Sequence, residues 1–250
     1  MTGASIDPVD ETRRILDAGD DAGVAIRAVG GVAVALSAPS IRVLSPTRTY
    51  HDIDLVGRAP RAPIELLLGE RGYVPATRFN TLNGSERLLF HDAAGRRVDV
   101  FLDVLRMCHE LPFGDRLTVA PLTLPPADLL LSKLQIVELT DRDVDDIAAL
   151  FADHDLTDDD RGISVSRIGA VCGADWGWWK TVDDNLGRLI ERWQTESAAT
   201  TADGLLVGAA VARAGALRAR LATVSTTLSW RLRALVGDRV RWYDEPEEIR

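Results

Sequence analysis

Two acidic residues alternate in Asp52-Ile53-Asp54-Leu55, and a glycine pair, Gly30-Gly31, opens the apolar run that ends at Leu36. On an extended segment, side chains alternate between faces, so Asp52 and Asp54 share one face and Ile53 and Leu55 take the other. Two carboxylates placed this way offer hard oxygen ligands to a divalent cation such as Mg²⁺. Glycines at a strand-to-helix turn let backbone N–H groups approach a phosphate with no Cβ in the way. A third acid, Asp99, sits mid-strand in Val98-Asp99-Val100-Phe101-Leu102-Asp103, where an unpaired charge is costly. A cation shared with Asp52 and Asp54 would remove that cost, while Asp103 reads as a strand-end residue.

The elements that must position these groups are legible in the pattern. Asp7-Pro8 starts a helix that runs to about Ala22. Val24 to Val29 reads as a strand, Gly30 to Leu36 as a short helix and Asp52 to Val56 as the next strand. Pro63 opens a helix that stops at Gly72, with Leu66, Leu67 and Leu68 toward the sheet. Glu86 to His91 and Arg97 to Asp103 form a hairpin turned by Asp92-Ala93-Ala94-Gly95. After Leu124-Pro125-Pro126, helices are expected over Ala127 to Leu139 and Arg142 to Ala152. Beyond Leu156 the pattern reads as wholly helical, with segments from Ser164, Asp175, Thr201 and Thr226.

The first of the two helices after Pro126 carries Lys133 within Leu129-Leu130-Leu131-Ser132-Lys133-Leu134. The second carries Asp143 and Asp146, one turn apart on a single face. These acids would hold Lys133 or Arg142 in place, or shape a nucleotide pocket, whereas Asp145 reads as solvated surface. Lysine and arginine together number 29, yet Lys133 and Lys180 are the only lysines. Lysine is the compact, mobile cation of the two. The fold class expected is α+β, a mixed sheet flanked by helices and followed by a helical domain. The boundary falls at 124/125, and residues 125–155 carry the Lys133 and Asp143/Asp146 helices.

The ordered set of Gly30-Gly31, Asp52-Ile53-Asp54 and Asp99 resembles the nucleotidyltransferase superfamily. Within it the chain looks most like the AbiEii-type nucleotidyltransferases of toxin–antitoxin systems, over roughly Gly30 to Leu150. Lys133 matches that group's helical lysine. Asp143 and Asp146 match its Arg-Asp-x-x-Asp-Leu motif, with Ile147 in place of the leucine. The resemblance implies the nucleotidyltransferase fold and transfer of NMP from an NTP to a hydroxyl. Asp52, Asp54 and Asp99 would hold two Mg²⁺ ions, Gly30 and Gly31 would offer amides to the β/γ-phosphates, and Lys133 would meet the triphosphate with help from Arg48. The acceptor it implies is an RNA, a tRNA 3′ end, and the partner an antitoxin protein. Two alternatives stand beside it: a small-molecule nucleotidyltransferase of the antibiotic-modifying type, and a catalytically silent binding member of the fold.

Composition narrows the setting. The formal net charge is −9, which opposes broad nucleic-acid binding, so no DNA partner is expected. The acidic body would instead attract a cationic small molecule. From Arg213 to Arg241, however, seven arginines face one acid, Asp238, giving either an RNA-docking surface or the solvated face of amphipathic helices. Trp176, Trp178 and Trp179 could stack on a base but suit helix packing better. Cys108 and Cys172 make no disulfide framework and no metal motif. The opening residues are polar and no stretch reaches the roughly 18 apolar residues of a membrane span, so a cytoplasmic protein with no membrane contact is expected.

Overall fold

The computed structural model describes residues 7–196 and 202–245. The chain forms two compact units, one of residues 1–37, 47–105 and 112–124, the other of 38–46, 106–111 and 125–250.

The first unit opens with α1 (Pro8–Asp21), where Asp7 accepts a hydrogen bond from the Val9 amide at 2.8 Å and proline takes the first turn. The chain then runs through β1 (Ile26–Val29) into α2 (Gly30–Ser37). A short helix of the second unit, α3 (Ile41–Leu44), precedes β2 (Asp52–Gly57), α4 (Ala62–Glu70), β3 (Val74–Pro75), α5 (Thr77–Asn83), β4 (Arg87–His91) and β5 (Arg97–Leu102). Five strands make one mixed sheet in the order β1-β2-β5-β4-β3, in which β2 and β5 are parallel and the other pairs antiparallel. Ala28 also exchanges backbone bonds with Leu122 and Leu124, so residues 122–124 cover the outer edge of β1. Ile15, Leu16, Ile53, Leu55, Leu88, Phe90, Val98 and Val100 form the buried core.

After β6 (Val104–Arg106), β7 (Glu110–Pro112) and a 3₁₀ turn at Gly114–Thr118, the chain becomes largely helical. α6 (Pro126–Leu134), α7 (Asp141–Asp153), α8 (Val165–Ala174), α9 (Trp176–Glu196), α10 (Ala202–Leu221) and α11 (Leu228–Val236) belong to the second unit. Thr140 and Asp143 cap α7 reciprocally. Ala210, Ala214 and Leu217 bury one face of α10, which packs on α7 and α9. The three tryptophans at the start of α9 serve packing: Trp176 and Trp178 are buried, and Trp179 meets Trp230 edge-on at 5.4 Å. Among the described residues, no helix is long and apolar enough to cross a membrane.

Three expectations need correction. Leu66 is exposed, because three successive helical residues cannot all face one sheet, and Leu67 and Leu68 take the inner positions. α6 ends at Leu134 and not near 139, since Asn185 of α9 donates to the carbonyls of Leu134 and Ile136, both at 2.8 Å, and so satisfies the open helix end. The region beyond Leu156 also contains a short parallel pair, β8 (Leu156–Thr157) with β9 (Ile163–Ser164).

Candidate active site

Gly30 has φ +72°, the left-handed conformation that turns β1 into α2. A Cβ there would lie 2.3 Å from Asp54 Oδ2, so the bend presses directly on that carboxylate. The next glycine is less constrained: its φ is ordinary, and a Cβ on Gly31 would sit 2.7 Å from the tip of the long Arg48 side chain and 3.5 Å from Tyr50 Cε1. Arg48 lies over the Tyr50 ring at 5.4 Å. The first amides of α2, which have no partner within the helix, therefore open beside Asp54 and Arg48.

Strand register supplies the rest of the row. Val29 pairs with Asp54, Asp54 with Asp99 and Asp52 with Arg97. Residues paired in register project to the same face, so Asp52, Asp54 and Asp99 lie on one face of the sheet next to the glycine bend. Asp52 and Asp54 are half-buried, whereas Asp99 is 1% exposed.

The acids do not stand alone on that face. Both oxygens of Asp99 accept from Arg87, from Nε at 2.7 Å and Nη2 at 2.5 Å. The Arg87 guanidinium also lies over the Phe101 ring at 4.6 Å. Arg97 Nη2 donates to Asp52 at 2.8 Å. A guanidinium thus meets the cost of burying Asp99, which the sequence had suggested a shared metal would meet. Among the described residues, no three or more His, Cys, Asp or Glu side chains are gathered to hold one metal ion. Asp103 takes φ +60° and is exposed at the end of β5, a strand-end role as expected.

Neither any protein-family model nor any curated protein matches the chain.

Within the second unit, Lys133 Nζ lies 3.0 Å from Asp143 Oδ1 and 2.9 Å from Asp146 Oδ2. Burial alone would lower the lysine's pKa, but the carboxylates of Asp146 and Asp143 outweigh it and raise the value above the ordinary one. For Asp143, burial pushes upward, and Lys133 with the Thr140 hydroxyl brings the net value down. Of the roles weighed for Asp143 and Asp146, they hold Lys133; Arg142 is exposed. Lys133 is thus an ammonium held between two carboxylates. In the arginine-rich stretch, Arg213 bonds the carbonyls of Phe151 and Ala152, Arg218 pairs with Asp183, and Arg233 donates to the carbonyls of Gly237 and Val240. These three arginines brace their own unit.

The sequence reading missed Arg87 and Arg97. The signal was present in the hairpin. Asp92 accepts from the Ala94 and Arg96 amides, each at 2.8 Å, and that turn sets His91 opposite Arg97. Counting back places Arg87 opposite Phe101, diagonal to Asp99 on the same face.

Proposed function

We propose that the chain is a Mg²⁺-dependent nucleotidyltransferase that moves NMP from an NTP onto an RNA hydroxyl, with a tRNA 3′ end as the acceptor. The observation that carries this reading is the contact of the left-handed Gly30 bend with Asp54, in a row continued by Asp99 and flanked by Asp52. Such a row places backbone donors for a phosphate beside carboxylates for a cation, which is what phosphoryl transfer requires of a protein.

Asp54 and Asp52 offer hard oxygen donors to a divalent cation, Asp52 by exchanging its half-exposed contact with Arg97, whereas buried Asp99 is held at both oxygens by Arg87. Bound there, Mg²⁺ would neutralise phosphate charge and favour the ionised acceptor hydroxyl. The remaining work falls to the chain. The amides of Gly30 and Gly31 orient the β/γ-phosphates, and Arg48, over Gly31, adds a positive charge at the same end of α2. An antitoxin partner belongs to this reading through the resemblance to the AbiEii-type enzymes. Purified protein with Mg²⁺, total RNA and each of the four labelled NTPs should label RNA, and Asp54→Asn should abolish the label. Equal labelling by both proteins would refute the proposal.

A second reading has its own support. Arg87 pairs with Asp99 and Arg97 with Asp52, so guanidinium groups stand where metal ions would in a catalytic site, which suits a binding member of the fold. NTP binding with no pyrophosphate release on any acceptor would favour it. The small-molecule alternative rests on the charge of −9 and is tested by supplying an aminoglycoside in place of RNA.

A further inference from the structure

We infer that Asp99 is a positioning residue that aims Arg87 at a bound polyphosphate, and that Asp99 is not itself a metal ligand. The inference uses the nucleotidyltransferase reading only to name the anion. Three observations carry it. First, both carboxylate oxygens of Asp99 are engaged side-on by Nε and Nη2, the geometry in which arginine is held most rigidly. Second, exposure differs sharply within the pair: the Asp99 side chain is 1% exposed and that of Arg87 21%. The anchor is internal, and the side chain it holds is partly open to solvent. Third, Phe101 lies beneath the guanidinium at 4.6 Å, fixing its plane from below.

Asp99 occupies one edge of the guanidinium and two of its five N–H donors, and the geometry leaves the opposite edge directed away from the carboxylate. Arg87 lies on the sheet face that carries Asp54 and the glycine bend, since Leu89 pairs with Asp99 and Arg87 is two residues before it on β4. For Asp99 to ligate a metal, it would have to break two short charge-assisted bonds and leave Arg87 without its counter-ion.

The test uses inorganic tripolyphosphate, which carries no base, titrated into the full chain by calorimetry in EDTA, with Mg²⁺ titrated separately. Wild type should bind tripolyphosphate without metal. Arg87→Gln and Asp99→Asn should each weaken it about tenfold, the double variant should be no worse than either single one, and Arg87→Lys should fall between. Asp99→Asn should leave Mg²⁺ affinity within about twofold of wild type. A tenfold loss of Mg²⁺ affinity in Asp99→Asn, with metal-free tripolyphosphate binding intact, would make Asp99 a ligand and overturn the inference. Unchanged binding in Arg87→Gln would reduce the pair to a strut and overturn it as well, and that variant decides the matter if Asp99→Asn fails to fold. The nucleotidyltransferase reading fails separately, if Asp54→Asn leaves Mg²⁺ binding unchanged.

Discussion

Gly30→Ala perturbs the candidate site at its narrowest contact, and Gly23→Ala provides its control. Gly23 has φ +68°, and a Cβ there meets nothing within 4 Å. Its substitution therefore isolates the cost of an L-residue in left-handed backbone, about 1–2 kcal/mol. Gly30 has nearly the same φ, +72°, but its Cβ would lie 2.3 Å from Asp54 Oδ2. Asp54 must then leave its rotamer or the start of α2 must shift, adding about 0.5–1.5 kcal/mol. Urea unfolding should therefore show Gly30→Ala less stable than Gly23→Ala by about that increment. NTP incorporation should separate the two further. Gly23→Ala should retain wild-type rate, whereas a displacement of Asp54 by about 1 Å should lower the rate about 100-fold. If the two variants match in both stability and rate, the bend does not press on Asp54 and the argument from its geometry is wrong.

Further outcomes concern the second unit. His109 is buried, its Nε2 lies 2.8 Å from Thr181 Oγ1, and burial pushes its pKa down to about 4. The unfolded chain takes up that proton near pH 6.5 and the native chain only near 4. Stability should thus fall as pH drops from 6.5 to 4, by about 3 kcal/mol in total, and His109→Gln should flatten that part of the pH–stability curve. Lys133→Met should cost about 3–5 kcal/mol in urea unfolding, because it leaves fully buried Asp146 without its cation, and adding Asp146→Asn should recover part of the loss. In wild type, the Asp143 contribution is present above pH 3.8 and lost as pH falls through its depressed native value, while that of Lys133 is present below pH 10.5 and lost as pH rises through its elevated one. Burial raises both cysteine thiols, Cys172 to about 12, so iodoacetamide at pH 8 should label neither until the chain is unfolded.

What was legible in the sequence was local. Asp7-Pro8, the glycine pair, the Asp52–Leu55 alternation and the Asp92–Gly95 turn each encode their element within a few residues, and the structure forms those elements close to the positions read. What was missed depends on residues far apart in the chain. Asn185 ends α6 from about 50 positions away, and three adjacent leucines in α4 look alike until a sheet lies on one side of them. The same limit shaped the reading of the candidate site. Period-two alternation put Asp52 and Asp54 on one face, and register added Asp99. The arginines paired with Asp99 and Asp52 emerge only when β4, β5 and β2 are laid side by side. A buried acid within a strand signals that a counter-charge is near, without specifying whether it is a metal or a guanidinium.

Pyrophosphate release reports whether the face bearing Asp52 and Asp54 carries out nucleotidyl transfer. Wild type and Asp54→Asn should be compared in one experiment with Mg²⁺, all four NTPs and bulk RNA. Wild type should release pyrophosphate in step with label entering RNA, and Asp54→Asn should stay at the level seen in EDTA. Release by Asp54→Asn at the wild-type rate, or no release by wild type above the EDTA level, would mean that Asp54 does not serve this chemistry.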